Sequence, residues 1–503
     1  MKKRKRRLPP PIRLGPILHA RGVQGDRWRV SASFLLEGEE EPPDLTVDGV
    51  RLDVPPRFLF EWKPTPAESG QPVQRLWRYD FAVPRGAQDG RVGYGFVDDG
   101  ERRWYLAVPG TAIRPRFAYV SCGGCESEPG IAAKGLTRNA RWAHLLGRHR
   151  AEPYHMMLMG GDQVYADAVW DLPWLKHWSG LPSSRRLTEE PPPELAAELD
   201  AFYREVYRWG FGQAETAAML ASAPVFAMWD DHDIFDGWGS HPDRSQDSPV
   251  FRAIWEAAKR AFRLFQLGAH EEPPETIWGP PGTNSQGMVL NGVGVLAPDL
   301  RSERRRDSVM SPESRALVPG WLERFRGCRH LLLMSSVPMV FPAFPLTERL
   351  MMLIPGQEAF EDDLRDQWRS VTHKAEWREW LARLAAFSRD ARCRVTVLSG
   401  EIHLGGSGVV RGDGFEMWQL IASGIVHPPP GGLAVDILER SCRGREKLPD
   451  GLVLEMPPFE ESGRTLLRTR NWLSLTIEPD GALLAEWHAE TGPTPLVRRL
   501  PAL

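Results

Sequence analysis

The chain has 503 residues, 42% of them hydrophobic and 26% charged, with a formal net charge of −3. This length predicts more than one domain, and the balanced charge excludes a general attraction to nucleic acid or membranes. The odd number of five cysteines, the lack of a signal-peptide pattern and the lack of a long apolar run predict a cytoplasmic protein without a transmembrane segment.

The chain begins with a basic segment and continues with a β-rich region. Residues 1–13 carry six consecutive basic residues, Lys2 to Arg7, and are predicted to form a solvated arm. Over residues 14–112, apolar and polar residues alternate at about period two, and Gly, Pro and Asp turns separate these runs. This pattern predicts a small antiparallel β-sandwich domain, and it contains no cluster of metal-ligand side chains.

Residues 113–503 show a different pattern, in which buried-looking strands alternate with helical stretches. This alternation predicts an α/β (α+β) domain with a mixed sheet. A Trp-, Pro- and Arg-rich helical insertion is expected over 170–222. The predicted helices cover 195–209, 214–221, 249–267, 311–326 and 361–387, with a break near Thr372; strands are predicted within 287–300 and 330–341, and a C-terminal hairpin within 472–490 turns at Asp480-Gly481.

Four short segments join an apolar run to a cluster of metal-ligand side chains. They are Phe117 to Glu126, Met156 to Asp167, Val225 to Asp236 and Val395 to Gly406. Each is predicted to be a strand of about four to six residues that ends in a Gly- or Asp-rich turn. Sites in open α/β sheets form beyond the carboxyl ends of strands, so the four turns predict a two-metal site and an enzyme.

Two of these turns are rich in carboxylates. Asp162 follows two glycines and can bridge two cations, and the phenol of Tyr165 can return to the same site as a hard ligand for a ferric ion. An Asp-capped turn over a packed tyrosine is the structural alternative. In the third segment, the acidic residues of Asp230 to Asp233 repel one another unless a cation or hydrogen bonds compensate. His232 among them can serve as an acid or electrostatic clamp, and an exposed acidic loop is the alternative.

The other two turns contribute different ligand types. Glu401 and His403 are two residues apart, so in an extended segment they would point the same way and could serve two neighbouring ions. Cys122 can act as a single thiolate ligand with Cys125 as a bystander. A zinc half-site, a redox pair and two inert packed thiols remain alternatives for these cysteines.

In this order, the segments resemble the PhoD-like (alkaline phosphatase D) family of calcineurin-type metallophosphatases. The resemblance extends over about residues 114–430. It rests on Ser121-Cys122, Gly161-Asp162 with Tyr165, Trp229-Asp230-Asp231-His232, Gly400-Glu401-Ile402-His403, and the segments Ala297 to Arg304 and Ser335 to Val340. The resemblance implies a mixed two-sheet metallophosphatase sandwich flanked by helices, here preceded by the small N-terminal β-sandwich.

The resemblance also implies a binuclear centre. A ferric ion would be held by Cys122, Asp162, Tyr165 and His403. A second ion, calcium in the characterised family type, with zinc or manganese as alternatives, would be held by Asp162, Asp231 and Glu401. Glu401 stands where the family usually has Asp, and its longer side chain leaves the identity of the second metal open.

Further residues are assigned by the resemblance and by their chemistry. His232 matches the family histidine that assists the leaving group, and Asp231 and Arg301 join it in the predicted catalytic set. Arg301, Arg304 and Asn139 are candidates for binding the substrate phosphate, because guanidinium matches phosphate bidentately. Surface or salt-bridge roles are the alternative for the two arginines.

The predicted function is metal-dependent hydrolysis of phosphoric esters, as a phosphomonoesterase or phosphodiesterase. Two cations would activate a water for in-line attack on phosphorus. The substrate would be a small phosphate ester, a phospholipid or a polymer, without a specific nucleic-acid partner. One alternative is a non-catalytic, metal-stabilised binding or scaffold protein on the same fold. A thiol-redox protein that uses Cys122 and Cys125 is another.

Overall fold

The computed structural model describes residues 10–97, 103–125, 128–341, 368–369, 372–448, 450–492 and 495–503. Most of the predicted basic arm lies outside these residues, and so does the first part of the helical region predicted over 361–387. Within the described residues the strands form three sheets, and the two large ones share a hydrophobic core.

The first large sheet has ten strands within the described residues. In spatial order they are β23 (Leu496–Leu500), β22 (Leu483–Ala489), β21 (Asn471–Ile477), β9 (Arg116–Val120), β10 (Met156–Gly160), β11 (Val225–Met228), β1 (Ile12–Gln24), β2 (Arg27–Glu37), β6 (Gln74–Pro84) and β5 (Arg57–Trp62). The three central strands β9, β10 and β11 are parallel. Every residue of β10 and β11 is buried, which explains why their sequences are continuously apolar rather than alternating.

The second large sheet has nine strands within the described residues. In spatial order they are β12 (Gln286–Leu290), β13 (Val293–Ala297), β14 (His330–Met334), β15 (Arg394–Ser399), β17 (Phe415–Ala422), β16 (Gly405–Gly412), β19 (Val453–Glu455) and β18 (Arg445–Lys447), with β20 (Leu466–Leu467) also paired to β16. Strands β13, β14, β15 and β17 run parallel. The predicted mixed two-sheet sandwich is therefore confirmed.

A small third sheet covers the N-terminal strands. It contains β4 (Val50–Arg51), β3 (Leu45–Val47), β7 (Gly90–Phe96) and β8 (Trp104–Val108). The ring of Phe34 on β2 packs against Phe96 at 4.7 Å and against Tyr79 on β6 at 5.6 Å. Tyr79 lies on the strand next to Phe34 in the same sheet, whereas Phe96 lies on β7 of the third sheet, so the Phe34–Phe96 contact joins the two layers of the antiparallel N-terminal β-sandwich that the alternating pattern predicts.

One side of this N-terminal sandwich is continuous with the central strands of the first large sheet. Strand β1 pairs in parallel with β11, with His19 opposite Val225. The hydrogen-bonded sheet thus crosses the domain boundary predicted between residues 112 and 113. The boundary itself stays a prediction, but residues 14–112 share both a sheet and a core with the rest of the chain.

Helices surround the two large sheets. They are α1 (Glu128–Ala133), α2 (Ala140–Ala151), α3 (Pro173–Ser179), α4 (Ser183–Arg186), α5 (Glu194–Phe211), α6 (Ala214–Leu220), α7 (Asp243–Gln246), α8 (Pro249–Phe265), α9 (Pro312–Glu323), α10 (Lys374–Ala391) and α11 (Gly432–Ser441), with short 3-10 helices at Pro66–Glu68, Asp167–Asp171 and Asp231–Asp233. Local chemistry explains the starts of α8 and α9. Ser248 and Ser311 each accept a backbone N–H with their hydroxyl group, and a proline occupies the first helical position after each of them.

The parallel strands direct their following turns toward one region. Cys122, Asp162 and Asp230 come shortly after β9, β10 and β11, and Glu401 follows β15. The carboxyl ends of β9, β10 and β11 meet at the same edge of the first sheet, so this topology brings Cys122, Asp162 and Asp230 together. Glu401 comes from the second sheet, and Arg301 contacts both Glu401 and Asp230. In the part of the chain that the structure describes, no helix is both long and apolar enough to cross a membrane.

The lowered pKa values of two buried histidines predict how the stability of the fold depends on pH. Burial lowers the pKa of His155 to about 4 and that of His149 to about 4. Each ring accepts a backbone N–H at Nδ1, from Arg116 at 3.0 Å and from Tyr154 at 3.1 Å respectively, and protonation would break that bond. Between about pH 4 and pH 6.5 the unfolded chain therefore binds more protons at these sites than the folded chain, so stability falls as the pH drops through this window.

Urea unfolding at pH 7.5 and pH 5 measures this effect. Each histidine is expected to contribute about 1–2 kcal/mol to the loss of unfolding free energy at pH 5. In a His155→Asn variant, whose amide oxygen can accept the same N–H, the difference between the two pH values should shrink by that amount. An equal pH dependence in the variant and the parent protein would contradict this assignment.

Candidate metal centre

Unusual backbone geometry marks the turns that carry the predicted ligands. Cys122, Asp162, Glu401 and His403 all have positive φ angles, of 51°, 55°, 63° and 52°. Only three other non-glycine residues among those described share this left-handed conformation. A left-handed backbone is costly for these residue types and tends to persist where surrounding structure and function require it. The four strained residues therefore identify this region independently of their side-chain chemistry.

The positive φ angles correct one expectation from the sequence. Glu401 and His403 were expected to point the same way because they would lie on an extended strand. Strand β15 ends at Ser399, and both residues lie in a left-handed turn beyond it. The expected i, i+2 geometry is therefore wrong, and it is the turn that directs both side chains into the site.

The thiol of Cys122 lies beside the carboxylate of Asp162. Its Sγ atom is 3.6 Å from Oδ2 of Asp162 and 3.1 Å from the hydroxyl of Ser423. The same hydroxyl accepts the backbone N–H of His403 at 3.0 Å, so Ser423 connects two predicted ligands of the ferric ion. Cys125 instead faces Glu128, with 3.5 Å between Sγ and Oε1. The two cysteines therefore have different partners, which argues against the redox-pair alternative.

Three buried carboxylates converge at the centre of the site. Asp162, Asp230 and Asp231 each offer an oxygen within 4.8 Å of the others, and all three are at least 95% buried. Asp233 has a different role, because its Oδ2 atom accepts the backbone N–H groups of both Asp162 and Asp230, at 2.9 Å each. Within the acidic run, Asp230 and Asp231 could therefore bind a cation, whereas Asp233 stabilises the turns through hydrogen bonds to their backbone. The exposed-loop alternative for this run is excluded by its burial.

Aromatic rings form one wall of the site. Tyr165 stacks on His232 with 4.1 Å between ring centroids and on His427 with 5.6 Å. His427 in turn stacks on His403 at 3.6 Å. The four rings therefore form one continuous stack in the order His232, Tyr165, His427 and His403. It contains the predicted ligands Tyr165 and His403 and the histidine predicted to assist the leaving group, His232.

His232 is held by a second carboxylate. Its Nδ1 atom lies 2.9 Å from Oδ2 of Asp167, and since an ionised carboxylate can only accept, the ring nitrogen donates. The other oxygen of Asp167 accepts the backbone N–H of Asp236 at 2.7 Å. Burial alone would lower the pKa of His232, but the Asp167 carboxylate outweighs it, so the pKa lies well above its ordinary value. The ring is therefore suited to carry a proton.

Both predicted substrate arginines are completely buried. Arg301 forms an ion pair with Asp230, and its Nη2 atom lies 3.4 Å from Oδ1 of Asp231 and 3.4 Å from Oε1 of Glu401. The side chain of Arg304 lies under the loop at Gly239, where a Cβ atom would approach it to 2.7 Å. The burial of both arginines excludes the alternative that they lie on the surface. Arg301 forms salt bridges, which was the other alternative.

Asn139 lies outside this group of mutually touching side chains. Its amide nitrogen donates to Gln213 at 3.3 Å and to Glu215 at 3.0 Å, so it joins the start of α2 to the start of α6, within the 170–222 region. A direct contact between Asn139 and a substrate phosphate stays a prediction.

Buried polar atoms test whether these residues fit a metal. Among the described residues, Oδ1 of Asp162 and Nδ1 of His403 are buried without a hydrogen-bond partner. Unpartnered polar atoms at such depth are costly, and a cation would satisfy both. Burial, followed by the nearby Asp230, raises the pKa of Asp162, and burial also raises the pKa of the Cys122 thiol. A bound cation would reverse both shifts, because it favours the charged ligand. The donor set therefore fits a metal ion.

Gly124 allows Tyr165 to take its place in the ring stack. A Cβ atom at Gly124 would lie 2.6 Å from Cδ2 and 3.2 Å from Cγ of Tyr165. We expect Gly124→Ala to displace the phenol and to weaken metal binding by about 10- to 100-fold, as for other supporting changes around a metal site. Metal titration of the two proteins measures the effect. Gly147→Ala is the matched control, since nothing lies within 4 Å of a Cβ there, and equal affinities in both variants would contradict the expectation.

Several residues of the site were not assigned a role from the sequence. They are Asp167, Ser423 and His427, and only the folded chain reveals the positions of the first two. His427 follows strand β17 by five residues and ends an apolar run before three prolines, so its place beyond a strand was a usable signal. Its Nδ1 lies 2.7 Å from the carbonyl oxygen of Pro428, a contact that fixes the ring orientation.

Comparison with known sequences gives a family match and a curated relative. The family model described as PhoD related phosphatase matches residues 133–359 and 351–444, together more than half of the chain. The uncharacterized protein YGR266W of Saccharomyces cerevisiae is 25% identical over 460 aligned residues, which cover 73% of this chain and 64% of the yeast protein's length.

Solved structures add a likeness of fold. The structure of PhoD aligns with a TM-score of 0.58 at 11% identity and covers 96% of this chain and 88% of that chain. A dimetal phosphatase from Danio rerio aligns over 78% of this chain and 100% of that one, at 9% identity and a TM-score of 0.37. This TM-score is too low to support an inference about the fold. The family match, supported by the fold and the site, establishes that the chain belongs to the PhoD-related phosphatases.

Proposed function

We propose that the protein is a metal-dependent phosphoric ester hydrolase that works through a binuclear centre. The observation that carries this proposal is the convergence of Cys122, Asp162, Asp230 and Asp231 from three parallel strands, with the stack of Tyr165 and its histidines beside them. The family match supports the phosphatase assignment.

The proposed ligands form two overlapping groups. Cys122, Asp162, Tyr165 and His403 would hold a ferric ion, because thiolate, carboxylate and phenolate donors together suit a highly charged cation. The second group would be Asp162, Asp231 and Glu401, whose oxygens suit calcium, with manganese or zinc as alternatives. Asp162 belongs to both groups, since one of its oxygens faces Cys122 and the other is unpartnered among the described residues.

The centre, when loaded, would supply a nucleophilic water and Lewis acidity for attack on phosphorus. The chain would supply the proton. With Nδ1 of His232 donating to Asp167, its Nε2 can donate to the departing alkoxide oxygen. The anchored carboxylate of Asp167 keeps the ring in this orientation. Arg301 and Arg304, both buried, would contribute positive potential beneath the substrate phosphate, and Asp231 would act as a ligand in the catalytic set.

The substrate class is proposed only as a phosphate ester, which could be a small monoester or diester, a phospholipid or a polymer. Purified protein reconstituted with iron and then with calcium, manganese or zinc should cleave p-nitrophenyl phosphate or bis-p-nitrophenyl phosphate. Cys122→Ser should lose metal and activity, whereas Cys393→Ser should keep both, because this buried thiol directly precedes β15, at the opposite end of the strand from the Glu401 turn. Stable metal binding without turnover of either ester would favour the scaffold alternative.

A further inference from the structure

The guanidinium of Arg301 lies among carboxylates proposed to hold the second cation. We call Asp231 and Glu401 the second-cation carboxylates. Nη2 of Arg301 is 3.4 Å from an oxygen of each, and the side chain is fully buried. An arginine is always charged, so this position already holds one positive charge supplied by the chain itself.

The backbone around Arg301 fixes the guanidinium in this position. Its Nη1 donates to the carbonyl oxygen of Trp238 at 3.0 Å, and the backbone N–H of Arg301 donates to Asp299 at 3.1 Å. Its Nε pairs with Asp230. Nη2 thus reaches the second-cation carboxylates, while Nε is held by Asp230 and Nη1 by the Trp238 carbonyl.

A calcium ion would need the same oxygens. Calcium binds carboxylate oxygens at about 2.3–2.6 Å, so an ion between Asp231 and Glu401 would lie well within the contact distance of Nη2. The two positive charges would also repel each other strongly in a buried site. A second cation can therefore bind only after Nη2 has withdrawn from both carboxylates.

We infer that Arg301 is a built-in competitor for the second cation. The inference rests on the proposed function and deepens it. The centre holds one cation tightly, at Cys122, Asp162, Tyr165 and His403. The second cation binds weakly, because it must displace Nη2 from Asp231 and Glu401. Arg301 is thereby a positioning residue that sets how much of the second metal the protein carries.

Titration of the iron-loaded full-length protein with Ca²⁺ and with Mn²⁺, followed by calorimetry and by elemental analysis after gel filtration, tests the inference. The parent protein should retain one tightly bound iron and lose the second cation on the column. Arg301→Met removes the competing charge and should raise the affinity for Ca²⁺ by at least about tenfold, a change of ~1.4 kcal/mol. Arg204→Met, at a buried arginine that pairs with Glu68 outside the site, is the matched control and should leave that affinity unchanged.

A milder variant keeps the test decisive if Arg301→Met does not fold. Arg301→Lys retains a charge opposite Asp230 but loses the planar fork that also reaches Asp231 and Glu401. It should therefore raise the affinity for Ca²⁺ several-fold. Two tightly retained cations in the parent protein, or an unchanged Ca²⁺ affinity in a folded Arg301 variant, would overturn the inference.

These readouts separate the inference from the proposed function. One tight cation, with a gain of Ca²⁺ binding in Arg301→Met but no ester hydrolysis by any form, would support the inference and refute the hydrolase. Ester hydrolysis by a parent protein that retains two cations would support the hydrolase and refute the inference about Arg301.

Discussion

Asp162→Asn is expected to abolish ester hydrolysis, lowering kcat/KM by at least about a thousandfold, or ~4 kcal/mol of transition-state stabilisation. Asp162 is the carboxylate that both proposed metal groups share, and its Oδ1 is buried without a partner among the described residues. An amide keeps the shape of the side chain but removes the charge that would hold the cations. Metal content and kcat/KM toward p-nitrophenyl phosphate measure the two consequences together.

The control for this change is Asp200→Asn. Asp200 is also partly buried, but it pairs with Arg260 at 2.8 Å between α5 and α8, outside the site. This variant should retain metal and turnover and should lose only a little stability. If Asp162→Asn kept normal activity, the assignment of Asp162 as the shared ligand would be wrong.

The second large effect is expected for His232→Asn. Removal of the proposed proton donor should lower kcat by about 10²- to 10⁴-fold for esters of weakly acidic alcohols. The loss should be much smaller for p-nitrophenyl phosphate, whose leaving group departs without a proton. Metal content should stay unchanged, because Nδ1 of His232 is engaged by Asp167 and the ring is outside both proposed ligand groups.

A series of aryl and alkyl phosphates with leaving groups of different basicity makes this test quantitative. The slope of log kcat against leaving-group basicity should become steeper in the variant. Asp167→Asn should give a partial effect in the same direction, since it frees the ring without removing it. An equal loss of activity across the whole series would show that His232 does not donate the proton.

The ligand turns could be predicted from sequence because each one interrupts a continuous apolar strand. Cys122, Asp162 and Asp231 follow β9, β10 and β11 at short distances, and the parallel topology brings such turns to one edge. Within the acidic run, however, spacing could not separate Asp230 and Asp231 from Asp233. Only the folded chain shows that Asp233 accepts backbone N–H groups while the other two face the centre.

Long-range contacts explain what could not be predicted. The pairing of His19 with Val225 joins residues that are 206 positions apart, and no local pattern indicates that β1 extends the sheet beside β11. The burial of Arg301 among carboxylates likewise depends on turns from three different strands. The positive φ angles at Glu401 and His403 contradicted a strand geometry that the sequence alone favoured.

Elemental analysis of the purified protein, combined with its visible absorption spectrum, tests the central claim most directly. If strand ends assemble a metal centre around Cys122, Asp162, Tyr165 and His403, the protein should carry about one iron per chain and show a tyrosinate-to-iron charge-transfer band that Tyr165→Phe removes. A protein that retains no metal after reconstitution, or whose metal content and spectrum are unchanged in Tyr165→Phe and Asp162→Asn, would contradict it.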